Sequence, residues 1–316
     1  MRLSLFIFFI SLRFFAQDFT AIKEKTTTYR GHITAEKLAK KIASDFSSDE
    51  DKVKAIFCWL TENIRYDLDE FYNPKHKTTN FRYRTLEEKE QILQAIKDKR
   101  VTKTLNSRKA VCEGYAQTFA KVCNLLAIEN EVIKGYARGS FNDIGNPISQ
   151  ANHAWNAVKI NNQWMYIDAT WGAGHQNNGK WHRVFKPYFF DIKKETYFKT
   201  HLPEDSLWKL RVGRMDIDTF YNQPIYSDSF LTSTYTLEKP FDGFLKRDEN
   251  GLVSVTMQNL DANSKVHFGF IGEQYAKKAT IENLNGSTTA SVLAPKNAQL
   301  AFFLIDMEVV LTFKIL

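Results

Sequence analysis

The sequence predicts an α+β chain: helices packed on an antiparallel sheet, followed by a C-terminal all-β sandwich-like domain. Three observations predict it. Apolar residues recur at helical spacing from Ile33 to Ala127. Strand-like runs with a tight Asn-Asn turn replace that spacing between Glu131 and Thr170. From about residue 225 only short alternating runs remain, separated by turn signals such as Asn250-Gly251 and Asn285-Gly286. The 316 residues, 43% of them apolar, are enough for two packed cores. The domain bounds read from this pattern are 17–224 and 225–316, after an N-terminal segment of 1–16.

Residues 1–16 have the pattern of a secretory signal peptide. Arg2 gives the positive start, and Leu3 to Leu12 is an apolar run too short to be a stable membrane anchor. Ala16 precedes a cleavage point, although Phe14 is large for its place before the cut. The competing reading is an uncleaved anchor. The expectation is an exported protein, periplasmic or secreted, with no stable membrane span once the signal is removed. Cleavage loses Arg2 and Arg13, which takes the formal charge from +7 to +5. Lys and Arg are scattered, with one richer stretch over 97–109, and no dense basic stripe argues for a nucleic-acid partner.

In chain order, Ile33, Leu38 and Ile42 mark a first helix. A second is predicted over 51–65, capped by Ser48 or Asp49, with Val53, Ile56, Phe57, Leu60 and Ile64 on one buried face. Residues 67–84 read as a loop. Residues 85–99 read as a helix with Leu86, Ile92, Leu93 and Ile96 inward, and a polar linker follows. From Cys112 the positions Ala116, Phe119, Ala120, Cys123, Leu126 and Ala127 repeat at helical spacing, which places Cys112 in the first turn of a core helix. The positive end of the helix dipole and its unpaired amides favour a thiolate there.

Residues 131–137 are a predicted strand, and 153–160 with 163–170 the two arms of a hairpin. If Asn161-Asn162 is the whole turn, Ile160 faces Gln163. His153, Trp155 and Asp168 then share one face, with His153 and Asp168 diagonal neighbours. A loop one residue longer would put Asp168 on the other face. Cys112, His153 and Asp168 are thus the parts of a nucleophilic triad: a thiol, a base to take its proton, and a carboxylate to orient the base. The backbone N–H of Cys112 is a ready oxyanion donor. Trp59 and Gln117 are weak side-chain candidates for a second. Trp155 and Trp171 are candidates to line the substrate cleft. Glu113 reads as a surface acid, His175 and His182 as exposed or structural, and His32, His76, His201 and His267 carry no argument for catalysis.

Three cysteines fit one reactive thiol and two buried ones, Cys58 and Cys123. No C-x-x-C pair or His/Cys cluster points to a metal. Beyond the Gly-rich stretch 171–180, which reads as a loop, Tyr188-Phe189-Phe190 is a short apolar run and His201 to Asp205 a turn.

Val111-Cys112-Glu113-Gly114-Tyr115-Ala116, Asn152-His153-Ala154-Trp155-Asn156 and Trp164-Met165-Tyr166-Ile167-Asp168-Ala169-Thr170-Trp171 resemble the transglutaminase-like superfamily, a branch of the papain-like cysteine enzymes. The run from Asp51 to Asp67, ending Asn63-Ile64-Arg65-Tyr66-Asp67, and His201-Leu202-Pro203-Glu204-Asp205-Ser206-Leu207-Trp208 resemble its kyphoscoliosis-peptidase-like branch. The resemblance covers about residues 35–212. It implies a cysteine at a helix end packed against an antiparallel sheet carrying His and Asp, acyl-transfer chemistry on amides, and a structural His201. It is silent on 225–316. Cys58, and the long charged stretch from 70 to 109, depart from the pattern without touching the triad.

Two functions compete. The first is an exported cysteine enzyme acting on amide bonds of a protein or peptide, with no cofactor, by hydrolysis as a peptidase or amidase or by transfer to an amine as a transglutaminase. The second is a non-catalytic binding or scaffolding protein that uses the same fold and the β-domain to hold peptide or cell-wall material. An intact Cys, His and Asp favours the first.

Overall fold

Thr34 and Ser48 open the second and third helices of the chain by accepting the N–H groups of Lys37 and Asp51, which no helical carbonyl can reach. The computed structural model describes residues 19–74 and 81–316. The expected signal over 1–16, and His76, lie outside the described residues. The first helices are α1 (Thr20–Thr27), α2 (Ala35–Asp45) and α3 (Asp49–Asn63). One buried face was the expectation for α3. Instead Val53 and every residue from Ala55 to Thr61 are buried, so the helix is enclosed nearly all round. Phe19 and Phe190 supply part of that cover, their rings 6.0 and 5.5 Å from Phe57.

Next come β1 (Arg65–Tyr66), α4 (Leu68–Tyr72), α5 (Leu86–Ser107), β2 (Lys109–Ala110) and α6 (Cys112–Leu125). The predicted loop over 67–84 thus contains a short helix. The predicted end of α5 at Lys99 is also wrong: the helix continues through the expected linker to Ser107. Leu86 and Leu93, expected inward, are exposed, and Val101, Thr104 and Leu105 are the buried positions. Ion pairs of Asp98 with Lys121 and of Lys103 with Glu70 tie this mostly polar helix to its neighbours. β1 and β2 pair in parallel, with Tyr66 opposite Ala110. That pairing brings the end of α3 beside the start of α6. Tyr115 locks the junction by donating to the carbonyl of Ile64 at 2.7 Å.

The rest of the first half contains β3 (Asn130–Ala137), β4 (His153–Ile160), β5 (Gln163–Ile167), α7 (Ala169–Gly172), β6 (Gly174–Asn177), β7 (Lys180–Arg183), α8 (Lys194–Tyr197) and β8 (His201–Pro203). Four of these strands form an antiparallel sheet in the order β5-β4-β3-β8. α6 lies on this sheet, and buried Asn156 of β4 donates to the carbonyl of Ala116 on α6 at 3.1 Å. The expected loop over 171–180 holds the end of α7 and most of a β6–β7 hairpin. The expected turn at His201 is instead an edge strand.

After α9 (Ser206–Val212) and α10 (Ile217–Asn222) the chain is almost wholly β, apart from α11 (Asp228–Leu231). The strands are β9 (Ile225–Tyr226), β10 (Thr236–Lys239), β11 (Phe244–Leu245), β12 (Leu252–Gln258), β13 (Val266–Phe270), β14 (Lys277–Lys278), β15 (Thr280–Leu284), β16 (Ser287–Leu293), β17 (Leu300–Ile305) and β18 (Glu308–Ile315). One sheet runs β10-β12-β16-β15 and the other β11-β18-β17-β13-β14, with β9 also on β18. Alternate residues such as Val253, Val255 and Met257 of β12, with Phe268 and Phe303 of the other sheet, share one apolar core. This is the sandwich-like arrangement that alternation predicts. The whole is α+β, a helix-on-sheet core followed by a β-sandwich-like part.

Candidate active site

The β4–β5 hairpin closes through Asn161 and Asn162, with φ of 50° and 64°, the left-handed values a two-residue type I′ turn needs and Asn tolerates. Ile160 faces Gln163 and Asn156 faces Ile167, as the two-residue turn requires. The strand then stops one residue short of Asp168. Asp168 turns out of the sheet and caps α7, its Oδ1 accepting the N–H groups of Thr170 and Trp171 at 2.8 and 3.0 Å. Its Oδ2 lies 2.7 Å from Nε2 of His153. The predicted pairing of Trp155 with Asp168 is therefore absent, because the cap takes Asp168 out of the ladder, yet the predicted neighbourhood with His153 forms.

Cys112 is the first residue of α6, after Val111, which provides no side-chain cap. The thiol is half-buried and lies within hydrogen-bonding reach of the His153 imidazole. Nε2 of His153 is engaged by Asp168, which leaves Nδ1 as the ring nitrogen available to a thiol. Cys58 and Cys123 are free, fully buried thiols, and burial drives both far from reactivity by raising their pKa, that of Cys58 to about 12.

The electrostatics of the pair follow from burial and contact. Burial opposes charge on His153, but the Asp168 carboxylate, followed by the Cys112 contact, outweighs it and pushes the imidazole up to about 10. Burial likewise opposes charge on Asp168. The two histidines that contact it win, holding the carboxyl well below the usual carboxylate range.

The second of those histidines is His201, on β8. It is fully buried, with Nε2 3.1 Å from Asp168 Oδ2. Nothing in the local sequence marks it. It arrives from an edge strand of three residues, too short to show a pattern, and the signal that existed was its place in the His201 to Trp208 resemblance. His153, Asp168 and His201 are also a trio whose ligand atoms lie within 4.8 Å of one another. Their geometry is that of hydrogen bonds, because both Nε2 atoms approach the same oxygen. An imidazole that donates at Nε2 has no lone pair there for a metal.

Trp171 is placed as expected, on the wall of a cleft of about 600 Å³ that His153, Tyr66, Trp181 and Asp228 also line. Trp155 is not. It is 1% exposed, stacks behind His153 at 5.8 Å and donates its indole N–H to Tyr197, so it offers a substrate no surface. Neither side-chain candidate for a second oxyanion donor reaches the cleft. Trp59 is buried beneath the Arg108 guanidinium, and Gln117 is bonded to Glu113 on another face of α6. His175 and His182 are exposed and stacked on each other across the β6–β7 hairpin.

A cysteine at a helix start beside a strand-borne His and a helix-capping Asp is the geometry set beside the comparisons with known proteins. Residues 36–169 match the transglutaminase-like superfamily. That segment is transglutaminase-like, and the curated relatives point to the kyphoscoliosis-peptidase-like branch. The chain is 26% identical over 243 residues to the kyphoscoliosis peptidase of Homo sapiens, covering 75% of this chain and 34% of that protein. It is 19% identical to the Lim and transglutaminase domain protein ltd-1 of Caenorhabditis elegans, over 70% of this chain and 30% of that one. The chain thus spans about a third of the length of these relatives. A solved structure of a TGase is 19% identical over 58% of this chain and 40% of that chain, with a TM-score of 0.30, too loose a superposition to bear on the site.

Proposed function

We propose that the protein is an exported cysteine enzyme that cleaves amide bonds of proteins or peptides, with Cys112 as nucleophile, His153 as general base and acid, and Asp168 as the group that orients His153. The observation that carries this reading is the half-buried thiol at the start of α6 within reach of an imidazole bonded to a buried carboxylate. A thiolate and an imidazolium stabilise each other there, and the first amides of α6 have no helical acceptor. The thiolate attacks the carbonyl carbon and forms a C–S bond. The charge passes to the carbonyl oxygen beside the Cys112 N–H. His153 gives its proton to the leaving nitrogen, the C–N bond breaks, and a thioester remains. Water, deprotonated by His153, then releases the acid and restores the thiol. An amine in place of water would give transamidation. Hydrolysis is preferred because water is the default acceptor. The peptidase among its relatives is consistent with this preference.

The test is iodoacetamide labelling near neutral pH. Cys112 should label faster than a free thiol, and His153→Ala should abolish the advantage. Labelling of Cys112 no faster than in the denatured chain would leave the binding or scaffolding reading in its place. Incubation of candidate proteins with wild type and with Cys112→Ala, read by mass spectrometry, separates cleavage from deamidation (+1 Da) and crosslinking. Asp168→Asn should keep the fold and lower turnover by roughly three to four orders of magnitude, because the imidazole would take the wrong tautomer. Near-wild-type turnover would mean that another residue orients His153.

A further inference from the structure

We propose that His201 is a positioning residue: its neutral imidazole holds the Asp168 carboxylate in the orientation that His153 requires. The proposal rests on the Cys112–His153–Asp168 reading above and adds a fourth residue to it.

Asp168 accepts four hydrogen bonds, two at each oxygen. Oδ1 takes the Thr170 and Trp171 amides, while Oδ2 takes His153 at 2.7 Å and His201 at 3.1 Å. Four acceptor sites are about what a carboxylate has. Without His201, Oδ2 would have no partner except His153, the group whose proton has to move during the reaction.

The tautomer of His201 follows from its two neighbours. Nε2 faces a carboxylate and carries the proton. Nδ1 lies 2.8 Å from Oγ1 of Thr200, so its lone pair accepts the Thr200 hydroxyl. The ring is sealed between the indoles of Trp155 and Trp171, each 4.9 Å away, with Tyr197 at 5.9 Å. The titratable groups that face it are Asp168, His153 and Tyr197. Burial, first, and the neighbouring His153 hold it below the usual imidazole range in spite of Asp168. A fully buried imidazole with both nitrogens engaged neither meets substrate nor exchanges its proton with solvent. What remains to it is orientation. The fold supplies it through β8, which pairs with β3 so that His201 lies opposite Ala137 and Pro203 opposite Gly135.

The experiment is the rate of Cys112 alkylation by iodoacetamide between pH 4 and 10, in wild type, His201→Leu, His201→Gln and Thr200→Val, each with a thermal melt. If wild type itself titrates as an ordinary thiol, near pH 8.5, the triad reading fails, and His201 with it. If wild type shows a thiolate at lower pH, His201→Leu should raise the midpoint by about one unit and slow alkylation at pH 6 about tenfold. Gln keeps an N–H near the place of Nε2 and should recover the rate to within about threefold of wild type. A His201→Leu protein that folds, with a lowered melt but an unmoved midpoint, would show a merely structural residue and overturn the proposal. Should His201→Leu not fold, Thr200→Val decides. With the hydroxyl gone, Nδ1 loses its partner and the ring is held less firmly against Asp168, so alkylation at pH 6 should fall about threefold. An unchanged profile there would overturn the proposal as well.

Discussion

At Asp168 one fully buried carboxylate accepts two amides and two imidazoles, and this arrangement decides how the site responds to pH. Asp168 titrates below its unfolded value, so its contribution to stability is present above about pH 4 and is lost as pH falls through the folded value. His153 titrates above its unfolded value of 6.5, so its contribution is complete below 6.5 and is lost as pH rises to about 10. The two overlap fully between about pH 4 and 6.5. Asn at position 168 cannot serve both oxygens, because its amide nitrogen would confront N–H donors. Asp168→Asn should therefore cost about 3 kcal/mol in urea unfolding at pH 6, for a buried pair broken on one side. The difference from wild type should shrink towards both pH 3 and pH 10. A deficit that stayed constant across that range would show that the pair is not the source of the stability. The Cys112–His153–Asp168 set was legible in the sequence because each member sits next to a readable local feature: a helix start, a strand start, and the far arm of a tight hairpin. His201 was not, since it arrives on a three-residue edge strand that carries no readable local pattern.

At the scale of elements, Asn161-Asn162 predicted the hairpin's turn and register, while its second arm ends at Ile167 rather than Thr170. The end of α5 was missed because its last turns are held by tertiary burial of Val101, Thr104 and Leu105 rather than by a continuous apolar stripe. The close approach of β3 and β8 was equally invisible. A Cβ at Gly135 would lie 2.2 Å from the Leu202 carbonyl oxygen and 2.7 Å from the Trp155 ring. Gly135→Ala should therefore push the two strands apart, cost about 2 kcal/mol or more, and draw His201 away from Asp168. Its alkylation profile should resemble that of His201→Leu. By contrast, Asn162→Gly suits the positive φ of the turn and should change stability by no more than a few tenths of a kcal/mol, whereas Asn162→Val should cost about 1–2 kcal/mol. Equal stability of the Gly and Val variants by denaturant melts would mean that the turn does not constrain the hairpin.

On the scale of the whole molecule, the cleft is walled from both halves: Tyr226, Asp228 and Thr312 come from the C-terminal side, facing His153 and Trp171. Contacts between the halves include Lys314 donating to the carbonyl of Ile144 at 2.5 Å and the Lys186–Asp228 ion pair at 2.6 Å. At the boundary itself, the segment leading into β9 is held by Arg138, 2% exposed, just past the end of β3. Its guanidinium donates to the carbonyls of Gln223 and of Pro224, the latter at 3.1 Å, and lies over the Phe220 ring. Burial pushes its pKa down to about 10, still leaving it charged near neutrality. It therefore fixes, from the sheet that carries His153, the segment that leads into β9 and the cleft wall. Arg138→Met keeps a long apolar stem but leaves two carbonyls without their donor, at about 1–3 kcal/mol each. The variant should lose roughly 2–4 kcal/mol in urea unfolding and become sensitive to protease between α10 and β9. Cys112 alkylation should stay within about twofold of wild type, since the histidines and Asp168 are held by other contacts. If a peptide substrate is found by the mass-spectrometric screen, its KM should rise more than its kcat falls, because the wall moves while the reacting groups do not. A fall in kcat alone, with KM unchanged, would show that the C-terminal wall does not touch substrate.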